Sequence, residues 1–317
     1  MKPKRTGKLR ELWAAGSDRA AGAAFKAAAR IFNLLPAADA CRLGAGLGRL
    51  WLFCDRRHRR VVVKNLEMAL GLAPESREMA RMLRATAEHL GCNLAEILLL
   101  HAGGPGGQLL QRNMQLRGLE RLRREVEKEK GVIIVSAHFG NWEMAGLVAD
   151  RLGREVATVG KPIKGKPRLY REITKTREKS GFKLLEKSGS AGALARRLRK
   201  GGVIALLVDQ RVRRKYRIFA EFFGHQVPTS PAPAMLARLS GSPIIPVFTR
   251  RLTLLHHDIV IGEPFFVPTT GNSREIITEY TNRINRIIEQ QIRATPEQWF
   301  WPHDRWRRIE SKTLSSG

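Results

Sequence analysis

The chain's periodicities predict an α/β fold with a mixed, largely parallel sheet flanked by helices and a helical N-terminal portion. Residues 1–102 are rich in Ala and Leu, poor in β-branched runs, and repeat their apolar residues at mixed helical spacings. From residue 113 short apolar runs alternate with helical stretches, which is the pattern of strand–helix–strand units. With 317 residues, 43% of them hydrophobic, the chain is long enough to bury a sizeable core. The division falls at 1–102 and 103–317, two portions expected to form one continuous structural domain.

Helices are predicted over Ala20–Leu35, Ala38–Phe53, Arg57–Leu70 and Glu75–Leu100, punctuated by Pro36 and Pro74, since proline brings no N–H to a helix interior. Gly131-Val-Ile-Ile-Val-Ser-Ala137 lacks polar alternation and reads as a buried strand. A helix at Glu143–Leu152, a strand at Glu155–Val159, a helix at Arg168–Ser180 and a strand at Phe182–Leu185 follow. Next come a helix at Ala191–Arg199, a strand at Val203–Val208, a helix at Ala232–Ser240, and strands at Pro243–Thr249 and Thr253–Ile261. Arg274–Arg293 is a long closing helix, followed by the aromatic tail Trp299-Phe-Trp-Pro-His-Asp-Arg-Trp306, which suits either packing over the sheet or lying near lipid.

Lys and Arg number 57 against 29 Asp and Glu, a formal charge of +28, so the chain should seek polyanions: nucleic acid, an anionic membrane face or an acidic protein. The three cysteines, Cys41, Cys54 and Cys92, form no metal-ligand spacing and too small a set for a disulfide framework. No signal peptide is legible, so the chain is expected on the cytoplasmic side. The longest stretches free of charge, Phe222–Ala237 and Ile97–Gln111, are broken by prolines and by Gly103–Gly107, and neither reaches the ~20 apolar residues of a membrane span. Residues 161–183 and 196–217 are two basic tracts, each suited to an anionic partner.

Directly after the strand ending at Ala137 comes His138-Phe-Gly-Asn-Trp-Glu143. On one helix the histidine and the carboxylate would point ~140° apart, so they meet only across a turn, which Gly140-Asn141 supplies. An ionised Glu143 bonded to one imidazole nitrogen would leave the other free as a base for a hydroxyl proton. The position favours this, because ligands bind at the carboxyl ends of strands in α/β sheets. No G-x-S-x-G elbow, Walker loop or dinucleotide fingerprint accompanies the pair, so direct attack by an activated hydroxyl fits better than a covalent intermediate. Asp209, at the end of another predicted strand, shares that sheet edge if the strands are parallel. His256-His257 point to opposite faces of a strand and cannot share a metal, and His89 falls among Leu83, Leu90 and Leu94 as a packed residue.

Gly131–Glu143 resembles the acyltransferase box of the bacterial lipid A biosynthesis acyltransferases. Further matching pieces follow the family's order: Arg60-x-x-x-x-Asn65-Leu66, Lys175-Thr-Arg177 with Gly181, Leu207-Val-Asp-Gln210, Phe222-Phe-Gly224 with Pro228-Thr229, Pro243-Ile-Ile-Pro-Val247 and Pro296-Glu-Gln-Trp-Phe-Trp301. The similarity runs from about Leu34 to Trp306.

The resemblance implies a glycerolphosphate-acyltransferase-like fold and transfer of a fatty acyl chain, usually from acyl carrier protein, to a hydroxyl of a lipid A precursor at the cytoplasmic face of the inner membrane. It implies His138 as general base and Glu143 as its orienting partner, with Arg177, Asp209, Gln210 and Arg211 as substrate-binding candidates. No metal or cofactor is implied, the acyl thioester being a co-substrate. Relatives often begin with a membrane-crossing helix; here peripheral attachment is expected, with residues 1–102 facing the membrane. Asp209-Gln-Arg-Val-Arg213 departs from the acidic, glycine-containing group many relatives carry there, which leaves acceptor and chain length open. The alternative within this chemistry is an acyl-CoA-dependent acyltransferase on another glycolipid, such as a phosphatidylinositol mannoside. The remote alternative is a basic nucleic-acid-binding protein, although the sequence has no RRM-type aromatic core, zinc finger or helix-turn-helix.

Overall fold

The computed structural model describes residues 5–160, 162–179, 181–186, 190–212 and 217–307. Ser180, at the end of a predicted helix, and Lys161 and residues 213–216 of the basic tracts lie outside them.

Five helices lead: α1 (Arg5–Asn33), α2 (Ala37–Cys54), α3 (Arg56–Leu70), α4 (Arg77–Ala102) and α5 (Pro105–Arg112). α1 starts well before the predicted Ala20, because the Lys, Leu, Arg, Glu and Ala of residues 8–15 favour helix strongly enough to carry it through Gly16. Ser76 caps α4 by accepting the Met79 N–H at 3.0 Å, and Asp55 caps α3 through His58 N–H. α5 forms where the Gly-Gly-Pro-Gly-Gly run suggested only an interruption; Pro105 sits at its first turn, where a missing N–H costs nothing. α2 and α4 approach so closely that a Cβ at Gly48 would overlap the Ala87 carbonyl, and one at Gly91 the Gly44 carbonyl.

The remainder alternates: β1 (Met114–Arg117), α6 (Leu119–Glu127), β2 (Val132–Ser136), a 3₁₀ turn at Trp142–Ala145, α7 (Gly146–Leu152), β3 (Val156–Gly160), α8 (Pro167–Lys179), β4 (Phe182–Glu186), α9 (Ser190–Arg199) and β5 (Val203–Leu207). Then come β6 (Ile218–Phe222), β7 (His225–Thr229), α10 (Ala232–Ser240), β8 (Ile244–Thr253), β9 (His256–Ile261) and α11 (Ser273–Ala294). Among the described residues the main sheet runs β1-β9-β8-β2-β5-β3-β4, parallel throughout except for β8 against β9.

The predicted strand Thr253–Ile261 is divided, since β8 runs on to Thr253 and the chain reverses through Leu255, at φ 66°, into β9. The antiparallel pair β6–β7 escaped prediction; Phe223 and Gly224, both at positive φ, make its two-residue turn, and Pro228 is tolerated because the ribbon stands outside the main sheet.

β2 is buried along its whole length, as an unalternated apolar run requires. Its pleat sends Ile133 and Val135 into a core with Leu66, Ala87, Leu198 and Trp299, and Val132 and Ile134 into one with Leu99, Leu122 and Val148. Helices of the N-terminal portion therefore contribute side chains to both core clusters that flank the central strand. No helix among the described residues is long and apolar enough to cross a membrane.

Candidate active site

β2 and β5 are parallel neighbours in the register Ser136 opposite Leu207, so the residues two positions beyond, His138 and Asp209, emerge side by side from the carboxyl edge. Asp209 Oδ1 lies 2.8 Å from His138 Nδ1, and Oδ2 accepts the His138 backbone N–H at 3.0 Å and the Trp299 Nε1–H at 2.8 Å. Asp209 is fully buried. Burial alone would raise its pKa, but His138 and the hydrogen bonds from His138 and Trp299 outweigh that and hold the carboxyl below its ordinary value. An ionised Asp209 accepts Nδ1–H, which leaves the lone pair on Nε2, and Nε2 has no partner among the described residues. The imidazole is about one-fifth exposed, with the Trp142 ring edge-on at 5.2 Å and the Phe300 ring at 6.3 Å.

The turn that delivers His138 is fixed from beneath. Gly140 sits at φ 58°, and a Cβ there would overlap the Thr249 carbonyl oxygen, so only glycine fits. Its N–H donates to Gln298 O at 2.9 Å, and its carbonyl accepts from Asn93 Nδ2 at 2.8 Å and His89 Nε2 at 3.2 Å. Asn141 Nδ2 donates at 2.8 Å to the buried Glu96, which also takes a bidentate contact from Arg251 and lies 2.9 Å from His257 Nε2. Burial works to raise the Glu96 pKa, yet Arg251 and the bond from His257 pull it down to about 2. Burial pushes His89 down to about 3, so it stays neutral.

The structure gives Glu143 a different partner from the one expected. It makes no hydrogen bond or ion pair with His138; its carboxylate receives Arg177 of α8 through both guanidinium edges, Nε to Oε2 at 2.6 Å and Nη2 to Oε1. The reason lies in the turn: Glu143 falls in the 3₁₀ segment facing α8, while the end of β5 has already brought Asp209 to the imidazole. Burial opposes the Arg177 charge, but Glu143 holds its pKa above the ordinary value. Trp142 joins the two pairs, its ring against His138 and its Nε1–H donating to Glu143 Oε1 at 3.1 Å.

Arg211 and Gln210 extend the turn after Asp209; both are half-buried, and the Arg211 backbone N–H donates to His303 Nε2 at 3.0 Å. Burial lowers the His303 pKa to about 4, so Nε2 is free to accept. Neither Arg177 nor Asp209 is an open ligand, since each is committed to a side chain of the site.

The aromatic tail is a wall of this site. Trp299, Trp301 and Trp306 are fully buried, and the Phe300 N–H donates to the His138 carbonyl at 2.9 Å. Asn65 clamps the tail, donating to Trp301 O at 2.7 Å and His303 O at 2.8 Å, while buried Arg305 donates to Pro228 O at 2.6 Å and Thr229 Oγ1 at 2.8 Å. Burial lowers the Arg305 pKa to about 10. Sequence reasoning missed the donor role of Trp299 and the parts played by Glu96, Arg251, His303 and Arg305. Asn65, Pro228-Thr229 and Trp299 had left a signal as motif pieces without an assigned partner, and His303 and Arg305 only as members of the aromatic tail.

A histidine held by a buried carboxylate at the carboxyl edge of a parallel sheet, with no Ser or Cys bonded to it among the described residues, is an arrangement suited to general-base chemistry in an α/β fold. Residues 20–308 match the family model of bacterial lipid A biosynthesis acyltransferases, and the chain belongs to that family: it is an O-acyltransferase. It is 26% identical over 272 residues to a lipid A biosynthesis lauroyltransferase of Escherichia coli K12, covering 84% of each chain. It is likewise 26% identical over 281 residues to a palmitoleoyltransferase of that organism, covering 86% of each. A phosphatidylinositol mannoside acyltransferase of Mycobacterium tuberculosis is 28% identical over 251 residues, which cover 77% of this chain and 75% of the relative.

Proposed function

We propose that this protein transfers a fatty acyl chain from an acyl carrier protein thioester to a hydroxyl of a lipid A precursor, bound peripherally at the cytoplasmic face of the inner membrane. The observation that carries the mechanism is the 2.8 Å contact between His138 Nδ1 and Asp209. With Nδ1–H given to Asp209, Nε2 takes the acceptor hydroxyl proton as the oxygen attacks the thioester carbonyl. The tetrahedral intermediate then expels the thiol, which leaves with the proton from Nε2. Asp209 replaces Glu143 as orienting partner, and Glu143 with Arg177 ties the wall of the site to α8.

A groove of about 860 Å³ between α1 and α8, lined by Arg19, Lys26, Arg168, Arg171 and Lys175 alongside Asp18 and Glu172, supports an anionic partner. Asp18 is already committed, accepting the Arg168 N–H at 3.0 Å. The similarity to the Mycobacterium tuberculosis enzyme supports a second reading, in which the same dyad acylates a mannosylated glycolipid from acyl-CoA.

The test is acyl transfer from carrier-protein thioesters of graded chain length to a lipid A precursor, read by mass spectrometry, with acyl-CoA and a phosphatidylinositol mannoside in parallel. The expected product is heavier by one acyl group, and His138→Ala should abolish it while the protein stays folded. A folded His138→Ala enzyme with full activity would sink the mechanism; transfer only to the mannoside would move the reading to the second acceptor.

A further inference from the structure

We infer that the outer face of α2, with the basic start of α3, is the surface by which this protein docks onto an anionic phospholipid bilayer. This deepens the peripheral attachment proposed above and rests on it. α2 is apolar on both sides. Its inner face, Ala40, Cys41, Gly44, Gly48 and Leu52, is buried against α4. On the outer face Leu43, Leu47, Leu50 and Cys54 recur at helical spacing and fall within about 60° of arc. The leucines are 44%, 44% and 58% exposed, and Leu34 at 83% and Phe53 at 72% extend the apolar surface at the two ends of the helix. A soluble surface leaves single apolar residues in water, whereas an aligned row of large ones marks a contact.

Charge selects the occupant. The chain passes through Asp55 straight into exposed Arg56, Arg57, Arg59 and Arg60, which form no ion pair among the described residues. Arg56, Arg59, Arg60, Lys64, Val63 and a single carboxylate, Glu67, line a groove of about 380 Å³. An apolar row beside a cluster of guanidinium groups matches a bilayer, which offers hydrocarbon and anionic headgroups at adjacent depths. A second copy would set the same cations against each other on a chain of charge +28.

The test uses the full chain and two kinds of vesicle, phosphatidylcholine alone and phosphatidylcholine with phosphatidylglycerol, in a flotation assay. Cys54 is exposed while Cys41 and Cys92 are buried, so a polarity-sensitive dye on Cys54 reports the face directly. Binding to the anionic vesicles should be about tenfold or more tighter than to the neutral ones and weaken with salt, with a blue shift of the dye. Leu43→Gln/Leu47→Gln/Leu50→Gln should lose about tenfold or more of that binding, as should Arg56→Glu/Arg59→Glu/Arg60→Glu, while transfer to a detergent-dispersed acceptor stays at the wild-type rate. Vesicle binding unchanged in the leucine variant would overturn the face and leave peripheral attachment standing. No vesicle binding by the wild type, or a dimer that the leucine variant dissolves, would overturn the docking surface without touching the acyl-transfer chemistry.

Discussion

The aromatic tail and the outer face of α2 are both dense in large apolar side chains, and the fold treats them in opposite ways. Trp299, Trp301 and Trp306 lie fully inside, and the tail's N–H and C=O groups and its Arg305 are met by Asp209, Asn65, His138, Pro228 and Thr229. Leu43, Leu47 and Leu50 stay outside, on a helix whose inner side is already filled by α4. Hydrophobicity drives both stretches out of water but does not say into what. The tail has polar partners placed to receive its backbone, so it closes on its own protein and becomes part of the site. The α2 face has none and remains available to something external.

Breaking the tail's end of this comparison should have the largest effects. Asp209→Asn removes the charge that meets His138 Nδ1 and Trp299 Nε1, and should cut kcat by about 10²–10⁴-fold with the protein still folded, measured as acyl transfer alongside a melting curve. Asn65→Ala leaves the buried carbonyl of Trp301 and the part-buried one of His303 without their donor and should cost about 1–3 kcal/mol in a urea titration.

Acid should open the same region. Burial holds His303 at about 4 and His89 at about 3, against 6.5 for a free histidine, so unfolding takes up protons below that value. Their neutral burial costs nothing above pH ~6.5; stability then falls as pH drops from there through 4 and towards 3. Melting temperatures across that range should decline well before Glu96, held at about 2, begins to protonate. The two sides of α2 give the smallest and sharpest contrast: Gly48→Ala on the inner face should cost about 1–3 kcal/mol by overpacking, and Leu50→Gln on the outer face less than about 0.5 kcal/mol. Equal costs at the two positions would mean that the outer face is packed after all.

Much of the sheet was legible because its strands carry local signals. Val132–Ser136 announces itself as an unalternated β-branched run, and the helices between strands repeat at helical spacing. β6–β7 was not legible, since Pro228 argues against a strand until the ribbon is seen to stand apart from the sheet. For the site, His138 was visible from its place after a buried strand, and Asp209 from the same reasoning applied to β5. Their contact was not visible, because proximity in sequence favoured Glu143 while the order β2 beside β5 brought Asp209 to the imidazole. Glu143–Arg177 and Glu96–Arg251 join residues far apart in the chain, and spacing carries no information about such pairs.

The sequence by itself determined most of the elements, their alternation, the candidate histidine and the family, because periodicity, turn chemistry and motif order are properties of neighbouring residues. Tertiary structure decided which carboxylate serves that histidine, which aromatic residues wall the site and which apolar helix face is left open. Those outcomes depend on strand order and register and on the close α2–α4 approach, and a carboxylate acts on an imidazole only across the few ångströms that packing supplies.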